Sequence, residues 1–257
     1  MNEYPYTFQY SQMSLINKII NKFIKKNQID IFEIGSRDCA DAFFLCSLNN
    51  KLRVISFDAN PTFLELAKPF ISSCSRIHAI ETIISSKKGK VPFFLTRNYD
   101  DDDQGRLGSA SSSILEPNLN IKGLPVKSFH KIFVNSITGS EAIQEFGIPQ
   151  AIILDVQGAE IDVLRSFENK LSQIELIFTE VNFKKDFIYS SDEGALRLIK
   201  YLRKKKFYLF NSYNISSYSG DLIFSKNKNI ILEFIALFKI LFISQSKLLI
   251  KRLLGVN

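Results

Sequence analysis

Cysteine and histidine are scarce in this chain, with three and two residues among 257. Cys39, Cys46 and Cys74 are odd in number, have no paired spacing, and form no metal-ligand motif with His78 or His130. That excludes a disulfide framework, leaves no metal site to assign, and points to reduced thiols in a cytoplasmic protein. Both histidines read as structural. Glycine is thin where a phosphate would need it. A dinucleotide fold wants G-x-G-x-x-G after its first strand, so that a pyrophosphate can reach backbone N–H groups at a helix start. The turn Gly35-Ser36-Arg37-Asp38-Cys39 carries a single glycine, which disfavours a nucleotide-dependent oxidoreductase. No run of about 20 nearly uncharged apolar residues occurs, which argues against a membrane span. No apolar stretch near the N-terminus reads as a secretory signal, and no internal repeat is visible.

What the chain does have is a set of apolar runs that end abruptly on an acid. In AIILDVQGAEIDVL, residues 151–164, such a run stops at Asp155 and turns into a helix. Acids at strand tips lie where open α/β sheets bind ligands. Ile29–Ile34 leads into the Gly35 turn and an apolar helix, and Arg53–Phe57 ends in Asp58-Ala59-Asn60-Pro61. Pro61 suits a first helical turn. Asp58 lies 23 residues past Gly35, near the offset of roughly 20 at which a second-strand acid accepts hydrogen bonds from ribose hydroxyls. A nucleoside without a pyrophosphate fits this pattern. S-adenosylmethionine needs an adenosine slot, a carboxylate for its amino group and room for a sulfonium, and Glu33, Gly35 and Asp58 meet those needs.

The remaining elements follow from periodicity and capping. Met13–Lys26 reads as a covering helix. Ile77–Ile84 reads as the third strand and Val91–Leu95 as a short strand. A helix capped by Ser140 runs through Phe146 and stops at Gly147. Gln150–Asp155 and Ile174–Val181 are the fourth and fifth strands, separated by a helix from Glu160. Glu193–Lys206 is a helix, and Phe207–Phe210 with Leu222–Phe224 form a terminal antiparallel pair. Strand–helix alternation predicts a parallel-rich α/β layer. The division expected is an N-terminal covering segment (1–28), one central domain (29–226) and an appendage (227–257).

Charge is concentrated at the C-terminal end. From residue 200 onward there are eleven Lys/Arg against two Asp/Glu, so +9 of a net +7 lies there and residues 1–199 carry −2. Lys204-Lys205-Lys206 suits the basic end of a helix, and nucleic acid is not expected as a partner. The stretch 230–254 is strongly apolar with basic neighbours. It reads either as a packing element, within the chain or in a homodimer, or as a peripheral contact with the inner face of a membrane. The acids Asp100–Asp103 lack the alternation of a calcium loop and read as a solvated loop.

Five segments in order carry a family resemblance: FEIGSRDCAD at 32–41, VISFDANP at 54–61, SASSSI at 109–114, LDVQGAEIDVL at 154–164 and IFTEV at 177–181. Over roughly residues 29–225 the chain resembles the FkbM family of S-adenosylmethionine-dependent methyltransferases. The resemblance implies a class I, Rossmann-like α/β fold: a mostly parallel sheet with an antiparallel terminal strand and helices on both faces. It also implies methylation of a hydroxyl, on a carbohydrate or related small metabolite. Cofactor contacts are expected from Glu33, Gly35, Ser36, Asp58, Ala59, Asn60, Asp155 and Gln157. Asp155 is the first candidate for the base that removes the acceptor proton or for cofactor orientation, and Glu180 is the second. Gly158 and Glu160 are expected to shape the turn, Asp38 to cap the next helix, and Ser112 and Ser113 to reach towards the cofactor or cover the acceptor. Cys39 stands where the family commonly has glycine. The alternative function is a non-catalytic binding or scaffold protein that kept the cofactor fold and attaches through its C-terminal helix.

Overall fold

The computed structural model describes residues 7–98, 111–120, 126–186 and 188–244. The chain begins with α1 (Thr7–Phe23), earlier than expected, then β1 (Ile29–Ile34), α2 (Ala40–Leu48), β2 (Leu52–Asp58), α3 (Pro61–Ser73) and β3 (Ile77–Glu81). Three strands follow, β4 (Ile83–Ile84), β5 (Gly89–Asn98) and β6 (Val126–Ile137). The alternation then resumes with α4 (Gly139–Phe146), β7 (Ala151–Leu154), α5 (Glu160–Ser166) and β8 (Leu176–Asn182). The last elements are α6 (Gly194–Lys204), β9 (Tyr208–Tyr213), β10 (Ser219–Ser225) and α7 (Ile230–Ser244).

Seven strands form the main sheet in the order β3-β2-β1-β7-β8-β10-β9. The first five run parallel, while β10, the last strand among the described residues, is antiparallel to both β8 and β9. Helices cover both faces. Phe32, Ile34, Ile152 and Leu154 point into one core with α4, α5 and α6. Ile29, Ile31, Val54 and Ala151 point into the other with α1 and α2. Strands buried on both faces read as continuous apolar runs, which is why they were visible in the sequence. Strand order reverses between β1 and β7, so the carboxyl ends of these two neighbours flank a crevice of the kind that binds ligands in open sheets.

Three expectations need correction. The strand expected over Ile77–Ile84 breaks at Thr82, and Ile83–Ile84 leave the main sheet to pair with β6. The cap of α4 is Thr138: its hydroxyl accepts from the Glu141 N–H at 3.1 Å, while the Glu141 carboxylate accepts from the Thr138 N–H at 3.0 Å. This reciprocal capping box displaces Ser140 into the first turn, where its Oγ donates to the Phe167 carbonyl at 3.2 Å. The last correction is β6, a 12-residue strand over a stretch to which no element was assigned. It pairs along its whole length with β5, itself 10 residues long, and with β4, making a separate three-stranded sheet. One face of β6 alternates Lys127, Phe129, Lys131 and Phe133, and Phe133 is 62% exposed. Apolar residues therefore fall on both faces, and the period-two signal of a half-buried strand is lost. The acids 100–103 lie outside the described residues.

Candidate active site

A cavity of 410 Å³ opens at the tips of β1, β2, β7 and β8, within the size range of small-molecule sites. The turn after β1 shapes its floor. Gly35 has φ +83°, and a Cβ there would lie 1.9 Å from the backbone oxygen of Asp155. The β1 turn and the β7 tip are thus packed backbone to backbone, with the Asp155 N–H donating to the Ile34 carbonyl at 3.0 Å. Cys39, at the N-cap of α2, adopts φ 60°, so the backbone keeps the left-handed path that glycine would favour. Asp38 caps this turn, its Oδ1 accepting from the Ala40 N–H at 3.1 Å.

Of the residues singled out in the sequence, Glu33, Gly35, Ser36, Asp58, Ala59, Asn60, Asp155 and Glu180 all line this cavity. Gln157 does not. It stands behind the site with φ 55°, and its Nε2 donates to Asp155 Oδ1 at 2.6 Å and approaches Glu180 Oε2 at 3.5 Å. Tyr189 donates to Gln157 Oε1 at 3.2 Å. In this structure Gln157 bridges the two carboxylates from outside the cavity lining. Glu160 also lies off the cavity and is buried, with its Oε1 accepting from the Gly158 N–H at 3.0 Å, as a turn-shaping residue would. Ser112 and Ser113 do reach the site. Ser113 Oγ donates to the Gln157 carbonyl at 2.9 Å and pairs through its backbone with Phe94 of β5. This bond ties the three-stranded sheet over the strand tips.

The sequence reading missed Asp41 and Asp221. Asp41 lies in the first turn of α2, and its Oδ1 is buried without a hydrogen-bond partner, the one such side-chain atom among the described residues. Asp221 lies near the start of antiparallel β10, directly across from Glu180 in register. Asp221 reaches the site only through that long-range register, because the first residues of an antiparallel strand fall beside the tip of its parallel neighbour. Asp41 looked like any helix-surface acid.

Seven carboxylates line the cavity, from Glu33, Asp38, Asp41, Asp58, Asp155, Glu180 and Asp221. Arg37 is the one Lys or Arg among the lining residues. Burial, reinforced by the Asp41 carboxylate, raises Glu33 to about 8, against a hydrogen bond from Ser56 Oγ at 2.6 Å. Burial raises Asp58 to about 6 even though its carboxylate accepts from the N–H groups of Arg37 at 2.8 Å and Asn60 at 2.7 Å. Asp41 is raised to about 6 by burial, and Asp221 to about 7 by burial and then by Glu180. Asp155 opens onto the cavity, yet the protein packed round it and the Glu180 carboxylate push it well above the ordinary carboxylate range. Like charges placed opposite one another in a sheet are destabilising. The cavity therefore favours protons when empty, and cations when a ligand enters. Among the described residues, no three His, Cys, Asp or Glu side chains converge in a way that could hold a metal ion.

These shifts set a direction for stability against pH. Each carboxyl binds its proton more tightly in the folded chain than in the unfolded one, where carboxylates titrate near 4. The stabilisation is complete below that value and is lost as pH rises through about 6 to about 8. The thermal midpoint of the ligand-free protein is accordingly expected to fall between about pH 5 and about pH 8.5. Scanning calorimetry across that range checks this, and a midpoint that climbs with pH contradicts it.

A family model described as the methyltransferase FkbM domain matches residues 33–209. Among curated proteins, the 2-O-methyltransferase NoeI of Sinorhizobium fredii (strain NBRC 101917 / NGR234) is 25% identical over 168 residues, 64% of this chain and 68% of that protein. Among solved structures, a protein of the NADB-Rossmann superfamily from Streptococcus agalactiae superposes with a TM-score of 0.50 at 10% identity, covering 98% of this chain and 82% of that one. M. capricolum TrmK, in complex with S-adenosyl-homocysteine, superposes with a TM-score of 0.45 at 12% identity, covering 84% of this chain and 68% of that one. At 10% identity the likeness to the Streptococcus agalactiae protein speaks only to the fold, which is the Rossmann-like α/β architecture described above.

Proposed function

The chain belongs to the FkbM methyltransferase family, and on that premise we propose that it moves the methyl group of S-adenosylmethionine onto a hydroxyl of a carbohydrate or related small metabolite. The observation that carries the reading is the charge of the cavity, seven carboxylates against one arginine. A donor with a sulfonium and an ammonium complements that field. An anionic dinucleotide does not. The acceptor class rests on the 25%-identical 2-O-methyltransferase, and on carboxylates in the lining that are suited to take the proton of a hydroxyl.

When bound, the cofactor supplies a methyl carbon attached to a cationic sulfur, already a good leaving group, so the protein has mainly to hold and align. Asp58 accepts backbone N–H bonds, from Arg37 and Asn60 among others, and as a carboxylate with about four acceptor sites it keeps room for a ribose hydroxyl. Glu33 and the unpartnered Asp41 oxygen are suited to an ammonium group. Asp155 accepts the proton of the acceptor hydroxyl as the oxygen–methyl bond forms, and its raised pKa brings it nearer to the operating pH, where a general base is most effective. Gln157 holds that carboxylate in place.

Calorimetry with S-adenosylmethionine, S-adenosylhomocysteine and NAD, followed by methyl transfer across a panel of saccharides, tests the reading. Both sulfur ligands are expected to bind and NAD to fail. Asp58→Ala should weaken the sulfur ligands about 10- to 100-fold, the cost of a hydrogen bond to a charged group. Preference for NAD overturns the cofactor assignment. Cofactor binding with no transfer to any acceptor points to the scaffold alternative instead.

A further inference from the structure

The C-terminal helix α7 is apolar on both sides, and among the described residues only one side is covered. Ala236 and Ile240 are fully buried against β9, and Ser212 Oγ donates to the Ala236 carbonyl at 3.1 Å. Glu233 also faces inward, with Arg203 of α6 donating to it at 2.6 Å. The helix is therefore firmly seated. Its outer side consists of Ile231, Phe234, Phe238 and Phe242, exposed at 72, 66, 57 and 76%. The three phenylalanine rings stack along the axis, with centroids 6.5 and 5.9 Å apart. A surface helix of a free-standing domain places polar residues on that side, and an apolar ridge of this kind marks an interaction surface.

Charge identifies the occupant. From Lys226 to the end of the chain there are six Lys/Arg and a single acid. That acid, Glu233, is turned inward and neutralised by Arg203. Lys228 is exposed just before the helix and Lys239 on its flank, and the sequence beyond Ser244 adds Lys247, Lys251 and Arg252 with no counter-charge. A second copy of the same face would bring these like charges together. An anionic surface neutralises them. No helix among the described residues is long and apolar enough to cross a membrane. We propose that α7 lies in the plane of an anionic lipid surface, its Ile231–Phe242 ridge sunk among the acyl chains and the surrounding lysines at headgroup level.

The chain contains no tryptophan, so Phe238→Trp introduces a single fluorescent reporter at the centre of the ridge. With vesicles of phosphatidylcholine containing about 30% phosphatidylserine, the emission is expected to shift to the blue and the protein to float with the lipid. Binding to pure phosphatidylcholine should be at least about tenfold weaker, and about 0.5 M NaCl should weaken the anionic binding. The triple variant Phe234→Ser/Phe238→Ser/Phe242→Ser should lose flotation while keeping its thermal midpoint, because none of the three rings is buried. Three results overturn the proposal. One is no flotation with either vesicle. Another is equal binding to both vesicles at low salt. The third is a dimer in lipid-free solution that the triple variant converts to monomer without any vesicle binding, which assigns the ridge to a second copy.

Discussion

Gly35→Ala is expected to abolish cofactor binding and to remove about 3 kcal/mol or more of folding stability, a large share of the 5–15 kcal/mol typical of a domain. Two costs combine. The backbone at Gly35 has φ +83°, and forcing a Cβ into left-handed conformations costs about 1–2 kcal/mol. The added carbon would also meet the Asp155 carbonyl oxygen at 1.9 Å and its carbon at 2.8 Å. Those are backbone atoms at the tip of β7, so no side-chain rotation relieves the contact, and the two strands must separate. Overpacking of this kind adds about 1–3 kcal/mol. Separation also moves Asp155 relative to Glu33 and Asp58, which is why binding should go with stability. Gly147→Ala is the control: φ is +91°, with nothing within 4 Å of the added carbon. It carries a conformational cost alone, about 1–3 kcal/mol, because φ +91° with ψ 175° is a region that essentially only glycine adopts. Denaturant unfolding of both variants, with calorimetry against S-adenosylhomocysteine, separates collision from strain. A Gly35→Ala protein no less stable than Gly147→Ala would remove the argument that these strand tips are packed backbone to backbone.

The same geometry explains which parts of the site could be read from the sequence. Glu33, Asp58 and Asp155 were legible because each interrupts or ends an apolar run, and a doubly covered parallel strand has no other reason to carry an acid at its tip. Asp41 and Asp221 were not. Asp41 lies on a helix, where an acid in the first turn is ordinary, and only its unpartnered buried oxygen sets it apart. Asp221 becomes a site residue through its register opposite Glu180, a long-range pairing that no local pattern encodes. Gln157 shows the converse. Its place two residues after Asp155 suggested a ligand contact, but φ 55° turns the side chain back onto the two carboxylates. β6 escaped notice because its exposed face carries phenylalanines among lysines. The tail was legible as apolar and basic, while which side of α7 is covered depends on its packing against β9.

Asp155→Asn is expected to lower methyl transfer about 100-fold or more, the usual contribution of a positioned general base, while cofactor affinity stays within about tenfold. The asparagine oxygen can still accept from Gln157 Nε2, which now meets Asp155 Oδ1 at 2.6 Å, so the side chain keeps its orientation and loses only its ability to take a proton. Removing one carboxylate from a crowded acidic cavity costs some attraction for a cationic donor, but it also relieves repulsion with Glu180. The ligand-free protein should consequently be no less stable near pH 8, and its midpoint should fall less steeply with pH than that of the unaltered chain. Glu180→Gln discriminates between the two candidates. If Asp155 is the base, the Glu180 variant keeps most of its turnover, and its effect appears as a shift in the pH–rate profile, because its charge helps hold Asp155 high. If the Glu180 variant is the slower of the two, the proton goes to Glu180 and Asp155 serves to orient the cofactor. Asp155→Asn retaining more than half of the original rate would exclude Asp155 from the chemical step altogether.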